Sequence, residues 1–219
     1  METISFISCV SDEGLYKQCL AHIHQLIVPQ ETRIETIPIR GAKSMTEGYN
    51  QGKKKSNGRF KVYLHQDAFI INPTFLFDLL YLFETNPRLG LFGVIGSIKL
   101  PSHGMWWNTP ITNKVGKIIE ARETFSQTSC TEATYMYEKA EAVDGLLLAT
   151  QYDIDWLERF NGWHFYDVSQ CLLFQQHGYD VGVAHQVCPW VIHYCKKSTM
   201  ANYYEALPDF QAWREEQNC

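Results

Sequence analysis

The segment Lys61-Val62-Tyr63-Leu64-His65-Gln66-Asp67-Ala68-Phe69-Ile70 decides the fold. Apolar Val62–Leu64 reads as a buried strand. Three polar residues interrupt it, and an apolar run resumes. A strand covered on both faces is apolar throughout, so His-Gln-Asp marks where it leaves the core.

Working outward, strand-like and helix-like segments alternate. Thr3 to Val10 is β-rich and ends at Ser11-Asp12-Glu13-Gly14. Leu15 to Leu26 carries Leu15, Cys19, Leu20, Ile23 and Leu26 at helical spacing. Ile34 to Ile39 is a second strand and Ser44 to Ser56 a second helix. Phe60 to Leu64 is a third strand. Pro73 to Glu84 is a helix, with Asn72 as the expected cap and Pro73 in its first turn. Leu91 to Ile98 closes the series as a fourth strand. This β-α-β-α-β-α-β order predicts an α/β fold, a mostly parallel central sheet flanked by helices. Sites in such sheets lie beyond the carboxyl ends of the strands, where His65-Gln66-Asp67 falls.

The second half changes character. Pro101 to Asn113 reads as a loop with Trp106-Trp107. Lys117 to Glu123 and Tyr135 to Thr150 read as strands, the latter interrupted by Asp144-Gly145. Phe160 to Tyr166 is a connector, Val168 to Gln176 a helix, and Asp180 to Val187 a strand. Asn202 to Asn218 is a short amphipathic tail. The expected organisation is one domain over 1–219, with a nucleotide-binding half (1–100), an acceptor half (101–198) and a tail (199–219).

Composition narrows the class. Of 219 residues, 45% are hydrophobic and 20% charged, an ordinary globular balance. A net charge of −5 argues against a nucleic-acid partner. The run Lys53-Lys54-Lys55 reads as a solvated helix face. No leader and no apolar run long enough to span a bilayer are evident, so a cytoplasmic protein is expected. Seven scattered cysteines without Cys-x-x-Cys read as reduced thiols. His22 and His24 do not share a helical face and are set aside.

The ordered motifs Glu47-Gly48-Tyr49-Asn50-Gln51-Gly52, LHQDAFI, VDGLLLAT, HFYD and HGYDVGV resemble the family 2-like, GT-A group of nucleotide-sugar glycosyltransferases, in particular its streptomycin-biosynthesis-type subgroup. The resemblance covers about residues 3 to 198. It implies a GT-A-type fold, a nucleotide-diphospho-sugar donor, a sugar, polysaccharide, protein or small-molecule acceptor, and a divalent metal, Mn²⁺ or Mg²⁺, to neutralise the departing diphosphate. Position by position, it implies Asp67 and His193 as metal contacts, with imidazole favouring Mn²⁺. His65 stands where many relatives carry the first acid of Asp-x-Asp. Ser8, Asp12, Asn50, His65, Gln66 and Asp144 fall at donor positions, and Trp106, Trp107 and His164 at acceptor positions. Asp167 matches the general base, and Tyr166 stands where many relatives have Glu. Each has a plainer reading: Asp167 as a helix cap, Asp67 as a turn acid, Trp106 and Trp107 as packing. The strand end Ile37-Pro38-Ile39-Arg40 lacks the acid that relatives use for the nucleoside. A nucleotidyltransferase and a non-catalytic sugar- or nucleotide-binding module are the alternatives.

Overall fold

The computed structural model describes residues 1–160, 162–195 and 202–217. The expected boundary at 198–199 and the tail end at Asn218 lie outside these. Along the chain run β1 (Glu2–Val10), α1 (Glu13–Ile23), β2 (Thr32–Arg40), α2 (Met45–Lys55), β3 (Phe60–Leu64), β4 (Ala68–Ile70), α3 (Phe75–Thr85), β5 (Leu89–Gly93) and β6 (Ile95–Ser97). Then come β7 (Lys114–Ala121), β8 (Phe125–Ser129), β9 (Tyr137–Lys139), β10 (Ala142–Val143), β11 (Leu147–Thr150), α4 (Tyr166–Gln176), β12 (Asp180–Ala184), β13 (Val191–His193) and α5 (Tyr203–Glu216).

The main sheet has the order β2-β1-β3-β11-β5-β12-β9. Strands β2, β1, β3, β5 and β12 share one direction, while β11 and β9 run against them. The expected parallel character therefore holds within a mixed sheet. Alternation along β1 sends Ile4 and Phe6 to one face, against Leu15, Cys19, Phe75 and Leu79 of α1 and α3. It sends Ile7 and Cys9 to the other, against Tyr49, Cys171 and Phe174 of α2 and α4. Helices thus cover both faces, which is why the central strands β1, β3, β5 and β11 are buried almost throughout.

A second sheet, order β10-β6-β7-β13-β4 with β8 on β7, packs beyond the strand ends. Three continuous runs of the sequence cross from one sheet to the other. The run 60–70 leaves the main sheet after Leu64 and enters the second at Ala68. The run Leu91 to Ile98 breaks at Val94, into β5 and β6. Tyr135 to Thr150 is three strands, with β10 in the second sheet and β11 in the main one. An apolar run conceals such a break because both halves are buried.

Local chemistry sets the helix starts. Asp12 Oδ1 accepts from the Gly14 and Leu15 amides at 2.9 and 3.0 Å, and Ser44 Oγ accepts from the Glu47 amide. For α3 the expectation shifts by two residues. Thr74 is the flanking residue and Asn72 braces it, accepting from its amide at 3.1 Å. The expected tail is α5, a helix of 14 residues.

Gly48 and Gly52 lay α2 flat on the sheet. A Cβ at Gly52 would stand 2.2 Å from Ile7 Cγ2, and one at Gly48 2.3 Å from Cys9 Sγ. Alanine at position 52 gains about 1 kcal/mol of helix propensity. Overpacking against a β-branched residue of a buried strand costs about 1–3 kcal/mol. Gly52→Ala is therefore expected to lower the urea midpoint rather than raise it; a raised midpoint would show that α2 rides freely on β1.

Candidate functional site

The crossing segment between β3 and β4 places His65, Gln66 and Asp67 where the sheets part. β4 pairs antiparallel with β13, setting His193 opposite Ala68. The Tyr194 amide donates to the Asp67 carbonyl at 2.8 Å. Backbone pairing alone thus brings residues 65, 67 and 193 together. Asp67 Oδ1 lies 3.6 Å from His193 Nε2 and 3.9 Å from His65 Nδ1. The three ligand atoms fall within 4.8 Å of one another, the one such cluster of three or more metal-ligating side chains among the described residues.

Two nitrogens and one carboxylate oxygen fit a divalent transition ion better than Mg²⁺. The charges agree with that use. Burial would raise the Asp67 carboxyl, but the His193 contact and both imidazoles outweigh it and hold it below the usual carboxylate range. Burial opposes protonation of His193, and the Asp67 contact and charge reverse this and raise it. For His65 burial wins over Asp67 and the ring is pushed down, towards neutrality.

His65 Nε2 lies 2.5 Å from the Tyr166 hydroxyl. Tyr166 is buried, and its ring occupies the space over Gly145, where a Cβ would lie 2.0 Å from the hydroxyl. The glycine of Val143-Asp144-Gly145 therefore exists for a close approach. The α4 N-terminus follows a left-handed Phe165 (φ 60°), which aims Tyr166 at His65.

Asp167 sits in the first turn of α4. Its Oδ2 accepts from the Gly145 amide at 3.2 Å and its Oδ1 from Val168 at 2.9 Å. It is not the cap, since Phe165 holds that position. Burial first, and then the Asp144 charge, push its carboxyl up to about 7, against the pull of those amides. Asp144 Oδ1 accepts from Leu146 at 2.9 Å.

Two clefts meet at this cluster. One, of about 480 Å³, opens between the ends of β1 and β2, lined by Val10, Ser11, Ile39, Ala42 and Met45, with Gln66 and Asp67. The other, of about 460 Å³, holds Asp144, Asp167 and His193 beside Trp106, Trp107 and His164. His65 and Trp163 line both.

The expected site residues divide accordingly. Gln66 ties the β1–α1 loop to the crossing, accepting from the Ser11 and Asp12 amides at 2.8 and 2.9 Å. Asp12 caps α1 beside the first cleft. Ser8 is buried in β1, on the face of Ile4 and Phe6 by strand alternation, and lines neither cleft. Asn50 is also elsewhere: its amide donates to the Trp156 carbonyl and to Glu158, and accepts from the Trp156 amide. It latches α2 to that loop. Asp144, expected beside the donor, lies with Asp167 in the second cleft. Trp106 is buried there and Trp107 exposed. Sequence reasoning missed Trp163 as the shared wall. A tryptophan directly before HFYD was the available signal.

A family model described as "Glycosyltransferase like family" matches residues 5–211. No curated protein matches the sequence. Among solved structures, the mannosyltransferase PcManGT of Pyrobaculum calidifontis, in complex with GDP-Man and Mn²⁺, is similar at 10% identity with a TM-score of 0.62. The match covers 98% of this chain and 64% of that one. TarS 1-349 of S. aureus in complex with UDP-GlcNAc is similar at 10% identity with a TM-score of 0.59, covering 96% and 65%. The chain thus spans just under two thirds of these solved chains. At such identity the likeness shows the fold, the GT-A type that the motifs implied.

For Nδ1 of His65 to ligate a cation, Nε2 must carry the proton and donate it to the Tyr166 oxygen. Tyr166→Phe removes that acceptor while keeping the ring over Gly145. The variant is expected to fold normally and bind Mn²⁺ about tenfold more weakly, measured by calorimetry. Wild-type affinity should also fall on acidification, because His193 must lose its proton to bind. Unchanged affinity in the Phe variant would remove His65 from the ligand set.

Proposed function

The chain belongs to the glycosyltransferase-like family, and we propose that it moves a sugar from a nucleotide-diphosphate donor to an acceptor hydroxyl in a metal-dependent, inverting reaction. The observation that carries this reading is the meeting of the two clefts at His65. One side offers a slot ending on Asp67, and the other a half-buried carboxyl, Asp167, placed to take a proton. A divalent cation, Mn²⁺ in preference to Mg²⁺, would be held by Asp67, His65 and His193 and would neutralise charge on the departing diphosphate.

This chain's own residues do the rest. The Val10–Ser11 and Ile39–Ala42 walls take the nucleoside, and Gln66 keeps the first loop in place. Asp167 accepts the acceptor proton. A carboxyl titrating near 7 is well matched to that task at neutral pH. Asp144, beside it, sustains the raised value and faces the donor sugar. One base and direct displacement suffice for inversion. The order of the motifs supports a streptomycin-biosynthesis-type subgroup within this reading. A cytoplasmic location and the absence of a nucleic-acid partner follow the net charge of −5 and the free cysteines. No described helix is long and apolar enough to cross a membrane. Against a nucleotidyltransferase stands the first loop, where the Ser11 and Asp12 amides already donate to Gln66 and so do not form a phosphate cradle.

The testing experiment is product mass detection with a panel of nucleotide sugars and mixed acceptors. In parallel, Asp67→Asn should abolish Mn²⁺-dependent binding of UDP or GDP while leaving the thermal midpoint near that of the wild type; retained metal-dependent binding would remove Asp67 from the donor site.

Asp167→Asn is expected to lower turnover about a hundredfold or more with donor affinity unchanged. In the wild type, turnover should rise with pH to a plateau above about 7. The stability effect has the opposite sense. The folded carboxyl holds its proton up to about 7, whereas the unfolded one releases it near 4. The stability from this source is present below about pH 4 and lost as pH rises through 7. The Asn variant should therefore be more stable than wild type at pH 8, with the advantage vanishing in acid. Normal turnover in that variant would leave Asp167 a structural carboxyl.

A further inference from the structure

The second cleft is a slot with two unlike sides. Its floor is a face of the second sheet. Lys114, Ile118 and Glu120 alternate along β7, Arg122 follows, and Thr128 and Cys130 continue the floor onto β8. The register sets His193 beside Glu120 and Ser97 of β6 beside Lys114. From Glu120 back to Lys114 the floor therefore runs about 20 Å away from the metal-ligand cluster, at roughly 3.3 Å per residue.

The opposite wall is aromatic. Trp107 meets Tyr203 edge-on at 5.9 Å, and Tyr203 meets His164 at 5.3 Å. Trp163 follows, 51% exposed, and Trp107 is 41% exposed. The turn Trp106–Asn108 packs on β6, at the far end of the floor. The buried Trp106 indole N–H has no acceptor among the described residues, and leaving such a donor unmet costs about 1–3 kcal/mol.

We infer that this slot takes a carbohydrate chain of several rings as the acceptor, its end at Asp167 and its body lying along β7 under the Trp107–Tyr203–His164 wall. This rests on the glycosyl-transfer reading and names the substrate class of its second cleft. Trp107 and Trp163 offer the open aromatic surface that stacks on the apolar faces of sugar rings, with buried Tyr203 behind them. The planar carboxylate of Glu120 and guanidinium of Arg122 suit adjacent hydroxyls, which both donate and accept. An alkyl acceptor would strip water from Lys114, Glu120 and Arg122 with nothing in return. A peptide docking by strand addition needs a free sheet edge, and this floor is a sheet face. A nucleic acid would meet Asp144, Asp167 and Glu120 as well as the cations.

The test is binding to a printed glycan array by the full chain saturated with MnCl₂ and either UDP or GDP, followed by calorimetry on a length series of the selected glycan. Affinity is expected to rise at least tenfold from the monosaccharide to the trisaccharide. Trp107→Ala should abolish most of that gain and leave monosaccharide affinity within twofold. Absence of any bound glycan, equal affinity across lengths, or an equal loss for all lengths in the variant would overturn the inference. Nucleoside diphosphate binding is measured separately on the same protein. Chains bound without it would keep the slot and overturn the transfer reading; nucleotide bound without chains would do the reverse.

Discussion

The seating of Tyr166 on Gly145, with its hydroxyl on His65, is the contact on which the site depends. Three segments distant in sequence meet there: the crossing after β3, the Asp144-Gly145 break and the start of α4. Each is a point where the backbone leaves regular pairing. At Gly145 the ring fits only because no Cβ is present. At Phe165 the left-handed backbone turns α4 so that Tyr166 and Asp167, adjacent in sequence, face different partners. Tyr166 reaches the imidazole that lines both clefts, while Asp167 reaches the amide of the glycine on which Tyr166 is seated. A single packing event therefore fixes both sides of the reaction centre.

Electrostatics then separates two carboxyls that the sequence presents alike. Asp67 lies between two imidazoles and stays ionised despite burial. Among the described residues no cation stands beside Asp167, and burial with Asp144 as neighbour raises it to about 7. In the proposed reaction, environments that push two acids apart in this way suit one to hold charge and the other to move a proton. His193, raised by Asp67, balances the charge of the first acid.

Much of the fold was legible because apolar runs and helical stripes obey simple periods. The first four strands of the α/β alternation, and three helices, stand close to where Thr3–Val10, Leu15–Leu26 and their successors put them. What the runs hid was the second sheet: Val94 and Asp144-Gly145 lie inside apolar stretches that stay buried while changing sheets. Of the site, His65 and Asp67 were legible as polar residues ending a buried strand. Their meeting with His193 was legible only through the family resemblance, since in the residues themselves it depends on pairing of β4 with β13 more than a hundred residues on. Asn50 was expected beside the nucleotide because the matching helix of the resembled family flanks the base pocket; its side chain is satisfied by the Trp156 backbone instead.

The C-terminal helix explains why the second cleft has a firm wall although two loops form it. Arg214 donates to the Leu100 and Pro101 carbonyls at 3.0 and 2.6 Å, seizing the base of the Trp106-Trp107 loop. Phe210 stacks on Phe165 at 4.5 Å and meets Phe160, holding the segment that carries Trp163 and His164. Arg159 pairs with Asp209 and Glu216 on the surface, a contact worth little by itself. The apolar cluster supplies the energy and the arginines the register. Tyr203, in the first turn of the same helix, then completes the wall between Trp107 and His164. A segment that reads as an amphipathic tail has its apolar face consumed by both loops, so the shape of the second cleft is set largely by a helix that gives it one wall residue, Tyr203.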